Sequence, residues 1–132
     1  MVIDTSAILA ILMGEAEGHA FIRLIEGDPV RLLSAANRIE TCLVVESRKG
    51  HAGRVVLERF LDEAAVEMAA VTLEQAEVAC DAFRRYGKGR HPANLNFGDV
   101  FAYALAKTTG EPLLFKGSNF TETDLASVVG GQ

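Results

Sequence analysis

The chain has 132 residues, 49% of them hydrophobic and 23% charged, with a formal net charge of −5. This length suits one domain with a core of its own, and the composition excludes disordered and collagen-like chains. Cys42 and Cys80 lie in apolar helical patterns, which predict buried thiols rather than a disulfide framework or a Cys-x-x-Cys metal site. The longest apolar run, residues 7–13, is too short for a membrane span and lacks the basic leader of a signal peptide. We therefore expect one cytoplasmic domain over residues 1–132 that has no membrane partner.

Hydrophobic spacing predicts short strands that alternate with helices along the chain. In chain order the predicted elements are a strand at 1–3, a helix to 13 that Gly14 interrupts, a helix at 15–26, a strand at 30–33, helices at about 34–48 and 52–65, a strand at 66–71, a helix after Thr72, a helix from Gly98 or Asp99 to about 108, and a strand at 113–115, with 128–129 as a candidate fifth strand. Ser34 is a predicted N-cap, and Thr72-x-x-Gln75 is a predicted capping box. This order indicates an α/β fold, a three-layer α/β/α sandwich around a mainly parallel sheet. Ligands of such sheets bind beyond the carboxyl ends of the strands, so we expect the site there.

Three acidic residues occupy positions that favour a functional role. Asp4 directly follows the first strand, Glu40 lies on the apolar side of its helix, and Asp99 stands at the start of a helix. A carboxylate on an apolar face needs a cation, a proton or a partner, because burying it unpaired is costly. Each acid also has a purely structural alternative: an N-cap for Asp4, a salt bridge or a partly exposed flank for Glu40, and compensation of the helix dipole for Asp99.

Taken together, the three acids predict a metal site. Like charges that converge in one pocket repel each other, and a divalent cation relieves that repulsion. Oxygen ligands without a His/Cys cluster favour Mg²⁺ or Mn²⁺ over zinc. Since Mg²⁺ takes only one or two carboxylates directly, we expect Asp4 and Asp99 to be the ligands and Glu40 to hold or activate a water. Such a site suits the hydrolysis of a phosphodiester bond.

A basic segment precedes Asp99 in a chain that is acidic overall. It contains Arg84, Arg85, Lys88, Arg90 and His91. Phosphate binding depends on local patches rather than on net charge, so this segment is predicted to bind the phosphates of a polyanion. It lies around a polar loop at 87–98, and loops of that length in compact domains are usually functional or disordered. The alternative is a solvated helix end, where arginine suits the dipole.

At this point the residues match a known family. The chain resembles PIN-domain proteins and, more closely, the VapC-type ribonuclease toxins of VapBC toxin–antitoxin pairs. The matching segments run in order over nearly the whole chain: residues 1–7 (Met-Val-Ile-Asp-Thr-Ser-Ala), 35–40 (ending in Glu40), 86–91, 96–99 (Asn-Phe-Gly-Asp), 113–117, Phe120 and 123–124.

The resemblance implies a specific set of expectations. Members of this family cleave RNA with Mg²⁺ or Mn²⁺ held by clustered acids, which correspond here to Asp4, Glu40 and Asp99. Thr5 or Ser6 is expected to hydrogen-bond within the cluster. VapC toxins are commonly dimers, and a small cognate antitoxin neutralises them, often by placing a basic side chain at the acid pocket.

One position departs from the family pattern. The family usually carries an acid just before the phenylalanine of the Gly-x-Asp-Phe segment, whereas this chain has Asn119 before Phe120. An amide can still orient a water but adds no negative charge, so we expect Asn119 to weaken metal binding without abolishing it.

Two other functions compete with the nuclease. A protein on the same scaffold that binds RNA or an antitoxin without useful catalysis would treat Asn119 as the mark of a decayed site. A small phosphatase or phospho-acceptor domain would need an acidic pair or Asp-x-Asp after the first strand, where this chain has Asp4 followed by Thr5 and Ser6.

Overall fold

Four short parallel strands form the centre of the structure, a computed structural model that describes residues 1–128. The strands are β1 (Val2–Ile3), β2 (Leu32–Ser34), β3 (Glu67–Ala69) and β4 (Leu113–Leu114), in the order β3-β2-β1-β4. All three neighbouring pairs are parallel, which confirms the predicted α/β class. The candidate fifth strand at 128–129 reaches beyond the described residues, and beside it Ser127 forms an isolated parallel bridge with Leu113.

Helices cover both faces of this sheet. They are α1 (Thr5–Leu12), α2 (Gly18–Glu26), α3 (Ala35–Glu63), α4 (Leu73–Tyr86) and α5 (Phe97–Thr109), and a 3₁₀ turn (Asn119–Glu122) follows the last strand. Successive side chains of a strand point to opposite faces, so each strand supplies two cores. Val2 and Leu113 pack with α4 and α5, whereas Ile3 and Leu114 pack with α1, α2 and α3. The three-layer sandwich is therefore present, and no helix within residues 1–128 is long and apolar enough to cross a membrane.

Helix α3 joins the two helices that the sequence predicts at 34–48 and 52–65. The structure runs them together across Gly50, whose φ of 67° and ψ of −163° are not helical. A side chain would strain this backbone conformation, so glycine lets the helix change direction there without ending it. The first half of α3 packs against α1 and α5, which is where its polar residues meet the site.

One of the two cysteines that were predicted to be buried is exposed. Cys80 lies on the surface and Cys42 is half-buried, and both are free thiols. Phe97, at the start of α5, is 79% exposed and rests edge-on against Phe101. The prediction of a buried thiol was wrong for Cys80 because apolar spacing along α4 identifies an apolar stripe but not how much of that stripe is covered.

Candidate active site

The carboxyl ends of β1 and β4 meet at one edge of the sheet. Asp4 directly follows β1, and its backbone N–H donates to the carbonyl of Leu114 at 2.9 Å. The chain that leaves β4 is held at the same edge, since the backbone N–H of Lys116 donates to Oγ of Ser6 at 2.9 Å. The site thus assembles where a parallel sheet normally binds its ligands.

Asp4 is a buried carboxylate at this edge. Its Oδ2 accepts the backbone N–H of Ser6 at 3.0 Å and the hydroxyl of Ser6 at 2.6 Å, and it caps α1. Burial, together with the charges of Asp99 and Glu40, raises the pKa of Asp4 to about 7 in spite of these two bonds. Asp4 therefore serves as the N-cap and also carries a charge that its surroundings disfavour.

Glu40 reaches the same place from α3. Its Oε1 accepts the hydroxyl of Thr5 at 2.6 Å and the side-chain amide of Asn37 at 3.1 Å. Its partners are thus a hydroxyl and an amide, so the salt-bridge alternative is wrong, whereas the alternative of a partly exposed flank position is met because Glu40 is half-buried. The predicted bond between a residue of the Thr5–Ser6 pair and the acid cluster is present twice, since Ser6 holds Asp4 and Thr5 holds Glu40.

Asn37 is a buried residue of the site that sequence reasoning missed. Its Nδ2 donates to Glu40 and, at 2.9 Å, to the carbonyl of Gly98 at the start of α5. Its Oδ1 is buried without a hydrogen-bond partner in the described part of the chain, an arrangement that costs about 1–3 kcal/mol. The only sequence signal was an asparagine three positions before Glu40, one turn earlier on the same helix face.

Asp99 belongs to a capping box that the sequence analysis did not identify. Asn96 is the N-cap of α5 and accepts the backbone N–H of Asp99, while Oδ2 of Asp99 accepts the backbone N–H of Asn96. This cap starts the helix at Phe97, one residue before the predicted range. Burial raises the pKa of Asp99 against these bonds, with a further contribution from the charge of Glu40. Dipole compensation and a place in the acid cluster are therefore combined in one residue.

The 3₁₀ turn brings Asn119 to Asp99. Nδ2 of Asn119 donates to Oδ2 of Asp99 at 3.2 Å. Phe120 is buried against Phe115, and Asp124 accepts the hydroxyl of Tyr103 at 2.6 Å, so this turn is tied to the body of α5. Asn119 thus gives Asp99 a donor at the position where the family pattern has an acid.

The three acids line one cleft of about 250 Å³. Its wall consists of Asp4, Thr5, Ser6, Leu9, Glu40, Asn96, Asp99, Lys116, Asn119 and Phe120. The structure therefore brings together all six of the predicted acid and supporting residues: Asp4, Thr5, Ser6, Glu40, Asp99 and Asn119. Lys116 is the cation of this wall, and its Nζ pairs with Glu15 and, at 3.6 Å, with Glu17. Its role at the cleft was missed by sequence reasoning, which used it only as part of a matching segment.

The basic segment lies outside this wall. Arg84, Arg85, Lys88 and Arg90 are exposed. Arg85 donates to the hydroxyl of Tyr86, Arg90 stands over the ring of Phe83, and Nδ1 of His91 accepts the N–H of Ala93. The loop itself returns to the site, because Leu95 bonds to the end of α4 and Asn96 begins α5.

The donor atoms of the cleft suit a hard cation. They are carboxylate, hydroxyl and amide oxygens, which Mg²⁺ prefers. Within residues 1–128 no three His, Cys, Asp or Glu side chains form a ready-made metal-ligand group. Mg²⁺ keeps several waters and uses one or two carboxylates, so a pair of acids with raised pKa values fits it.

Comparison with known proteins gives the family. The PIN domain model matches residues 1–125. Ribonuclease VapC of Mycolicibacterium smegmatis is 52% identical over 128 residues, covering 97% of this chain and 99% of that protein. VapC ribonuclease Mb0640 of Mycobacterium bovis is 51% identical, covering 97% of this chain and 98% of that protein. The chain therefore belongs to the PIN-domain family, among the VapC proteins.

Solved structures share the fold. VapC20 of Mycobacterium tuberculosis, described as a toxin that cleaves the sarcin–ricin loop, aligns with a TM-score of 0.78 at 22% identity, covering 96% of this chain and 97% of that one. VapBC2 from Rickettsia felis, bound to a DNA fragment from their promoter, aligns with a TM-score of 0.71 at 13% identity, covering 96% and 94%. At these identities the likeness establishes the α/β architecture.

Asp4→Asn should stabilise the metal-free protein at pH 7.5. Folded Asp4 holds its proton up to about pH 7, whereas the unfolded chain releases it near 3.8, so the wild type loses stability as the pH rises between these values. Each unit of pKa shift corresponds to about 1.4 kcal/mol, and we expect a gain of roughly 1–3 kcal/mol that shrinks toward pH 4. Urea unfolding in EDTA, followed by circular dichroism, measures it.

The control for this prediction is Asp81→Asn, at an exposed position of α4. It should change the free energy of unfolding by less than about 0.5 kcal/mol at either pH. Two results would show that the buried charge of Asp4 does not limit stability. One is an Asp4→Asn variant that is less stable than the wild type at pH 7.5, and the other is a gain in the free energy of unfolding that is as large at pH 4 as at pH 7.5.

Proposed function

We propose that this protein is a metal-dependent endoribonuclease, the toxin of a toxin–antitoxin pair, which hydrolyses phosphodiester bonds of RNA. The observation that carries the proposal is the convergence of Asp4, Glu40 and Asp99, from three separate elements, in one cleft at the carboxyl edge of the sheet. Surroundings that raise the pKa of two of these acids are typical of functional sites. The relatives that cover nearly the whole chain are named ribonucleases, which supports the same activity.

Mg²⁺, with Mn²⁺ as a substitute, is assigned to Asp4 and Asp99. When bound, Mg²⁺ orients a water, lowers its pKa and stabilises the negative charge that develops on the phosphate. The two acids fit this assignment because each has a hydrogen-bonded Oδ2 that fixes the direction of its carboxylate. Their mutual repulsion with Glu40 favours a bound cation.

The residues around the acids hold them in working positions. Ser6 fixes Asp4, and Asn96 fixes Asp99. Thr5 and Asn37 hold one carboxylate oxygen of Glu40. We assign Glu40 to orient the attacking water and to accept a proton from that water as it attacks phosphorus. The bond from phosphorus to the leaving ribose oxygen then breaks, and that oxygen takes a proton from solvent.

RNA is proposed to approach over the basic segment. Arg84, Arg85, Lys88, Arg90 and His91 lie on the loop and helix end that lead into Asn96 at the cleft. Exposed cations at that place would bind the phosphate backbone next to the bond that is cut, without reading its sequence.

A homodimer is proposed through the face around Phe97. Its exposed ring stands between two apolar grooves of about 490 and 610 Å³, one against α3 and one against α4. A protruding ring beside a groove is self-complementary about a two-fold axis, because each copy can insert its ring into the groove of the other. Exposed apolar patches on this scale mark protein interfaces, and the lining carries too few cations for an RNA platform.

An antitoxin is the second proposed protein partner. The acid cleft is a natural receptor for a basic side chain, and a toxin–antitoxin complex from Klebsiella pneumoniae shares the fold with a TM-score of 0.65 at 16% identity. That likeness covers 98% of this chain and 92% of the other. An antitoxin that acts at the cleft should reduce RNA cleavage in proportion to the complex formed. Unchanged cleavage at saturation would place its binding elsewhere.

The nuclease proposal predicts metal-dependent cleavage that requires Asp99. Purified, antitoxin-free protein is incubated with a structured RNA pool in EDTA, Mg²⁺ or Mn²⁺, and the fragment ends are sequenced. Discrete products should appear with either metal, and Asp99→Asn should reduce the rate by about 10²–10⁴-fold, the usual effect of removing a group that acts at the reacting atoms. Asp62→Asn, an exposed acid of α3, is the matched control. Absence of cleavage with every metal, in folded protein that still binds RNA, would favour the binding-only alternative.

Asn119→Asp should tighten metal binding and destabilise the metal-free protein. The change replaces a donor to Asp99 by a second carboxylate, which repels Asp99 until a cation is present. Calorimetric titration with Mn²⁺ should show a several-fold lower dissociation constant, and the melting temperature in EDTA should fall. Asn94→Asp, in the basic loop, is the control. Unchanged metal affinity and activity would show that position 119 does not limit the site.

A Lys88→Ala/Arg90→Ala variant should bind RNA more weakly and with a smaller salt dependence. Each phosphate contact that is lost lowers the slope of log affinity against log salt by about 0.7–0.9. Fluorescence anisotropy with RNA in EDTA measures this without cleavage. Lys49→Ala, an exposed lysine of α3, should leave the slope unchanged. An unaltered slope in the double variant would remove the basic segment from the interface.

Leu43→Glu should convert the proposed dimer into a monomer. Leu43 is 64% exposed and lines the groove between α3 and α5, so a carboxylate there would be buried by dimer formation. Sedimentation velocity of the antitoxin-free protein measures the mass, with Val30→Glu, outside this face, as control. A wild type that sediments as a monomer would refute the homodimer.

A further inference from the structure

Gly98 approaches the carboxylate of Glu40 so closely that a side chain at position 98 would force Glu40 to move. A Cβ placed on Gly98 would lie 2.1 Å from Oε2 of Glu40 and 2.7 Å from Oε1, well inside the contact distance of real atoms. Gly98 lies in the first turn of α5 and is buried. Alanine is the better helix former at such a place, so helix propensity does not account for a glycine there. The space that the carboxylate of Glu40 occupies accounts for the glycine.

Glu40 has little freedom to move away from Gly98. Its Oε1 is held from α1 by the hydroxyl of Thr5 and from α3 by the amide of Asn37. The same amide nitrogen donates to the carbonyl of Gly98, so Asn37 binds both the carboxylate and the backbone against which it rests. The two bonds that Nδ2 donates orient the amide, and its buried Oδ1 stays unpaired within residues 1–128.

We propose that Asn37 and Gly98 are positioning residues that hold the carboxylate of Glu40 against the first turn of α5, and we call this arrangement the seat of Glu40. Because Asp99 follows Gly98 directly, this seat fixes the separation between the Glu40 and Asp99 carboxylates. The positive end of the α5 dipole further favours an anion at this place. The consequence for activity rests on the proposed nuclease function, whereas the seat itself is a property of the fold.

The seat can be tested without any assay of activity, by whether Gly98→Ala lowers or raises the melting temperature when residue 40 is varied. In EDTA, Gly98→Ala should lower the melting temperature of the wild type. In a Glu40→Ala background the same change should raise it, because the space is free and alanine favours the helix. In Glu40→Gln, which keeps the size of the side chain, the change should again lower it. Glu46→Ala, elsewhere on α3, is the control background and should leave the penalty in place.

Each outcome of this cycle decides the proposal. If Gly98→Ala alone fails to fold, recovery of folding in the Glu40→Ala background is the expected result in another form. A penalty of equal size with and without the Glu40 side chain would overturn the seat, as would a wild type that tolerates alanine at position 98.

Cleavage kinetics test the consequence for catalysis. Gly98→Ala and Asn37→Asp should lower kcat by about tenfold or more while the KM for RNA changes little, since the seat acts on Glu40 rather than on RNA contacts. Glu40→Asp, which shortens the acid by one methylene, should restore part of the rate in the Gly98→Ala background. A rate that Glu40→Asp lowers further would contradict the positioning role. If wild-type protein cleaves no RNA with any metal, the nuclease proposal fails, and the stability cycle still decides whether the seat exists.

Discussion

Repulsion among three carboxylates is the constraint around which this small fold is arranged. Asp4, Glu40 and Asp99 arrive from the end of β1, from α3 and from the start of α5. Burial raises the pKa values of Asp4 and Asp99, and the charge of Glu40 raises both as well. The surrounding structure resists this repulsion with two helix starts and a set of short polar bonds, since hydrogen bonds to the charged form oppose the cost of burying it.

Local structural roles and chemical roles coincide in these residues. Asp4 is the N-cap of α1 and Asp99 completes the capping box of α5, so the cap or first turn of each helix supplies a carboxylate to the cleft. A helix start is rigid and directs its free N–H groups toward the acid, which gives the carboxylate a defined orientation. The structural and functional interpretations of such a residue are therefore complementary, and local sequence alone does not separate them.

The sequence predicted the fold class and the cluster of acids because both depend on regular patterns. Strand–helix alternation defines a parallel sheet, and its carboxyl edge locates Asp4. The pattern did not reveal Asn37 or the seat at Gly98, which depend on the distance between α3 and α5 rather than on spacing along the chain. The exposure of Phe97 was missed for a related reason: apolar periodicity identifies an apolar face but not what covers it.

The parallel order of the sheet has a consequence for the time at which the cleft exists during synthesis. β1 is made first, yet one of its two neighbours is β4, and Asp4 bonds to Leu114 in that last strand. Asn119 reaches Asp99 from still later in the chain. A nascent chain that has emerged only to the end of α5 has all three acids but lacks the strand that aligns the first of them. The complete cleft therefore cannot form until synthesis has passed Asn119, although all three acids are present much earlier.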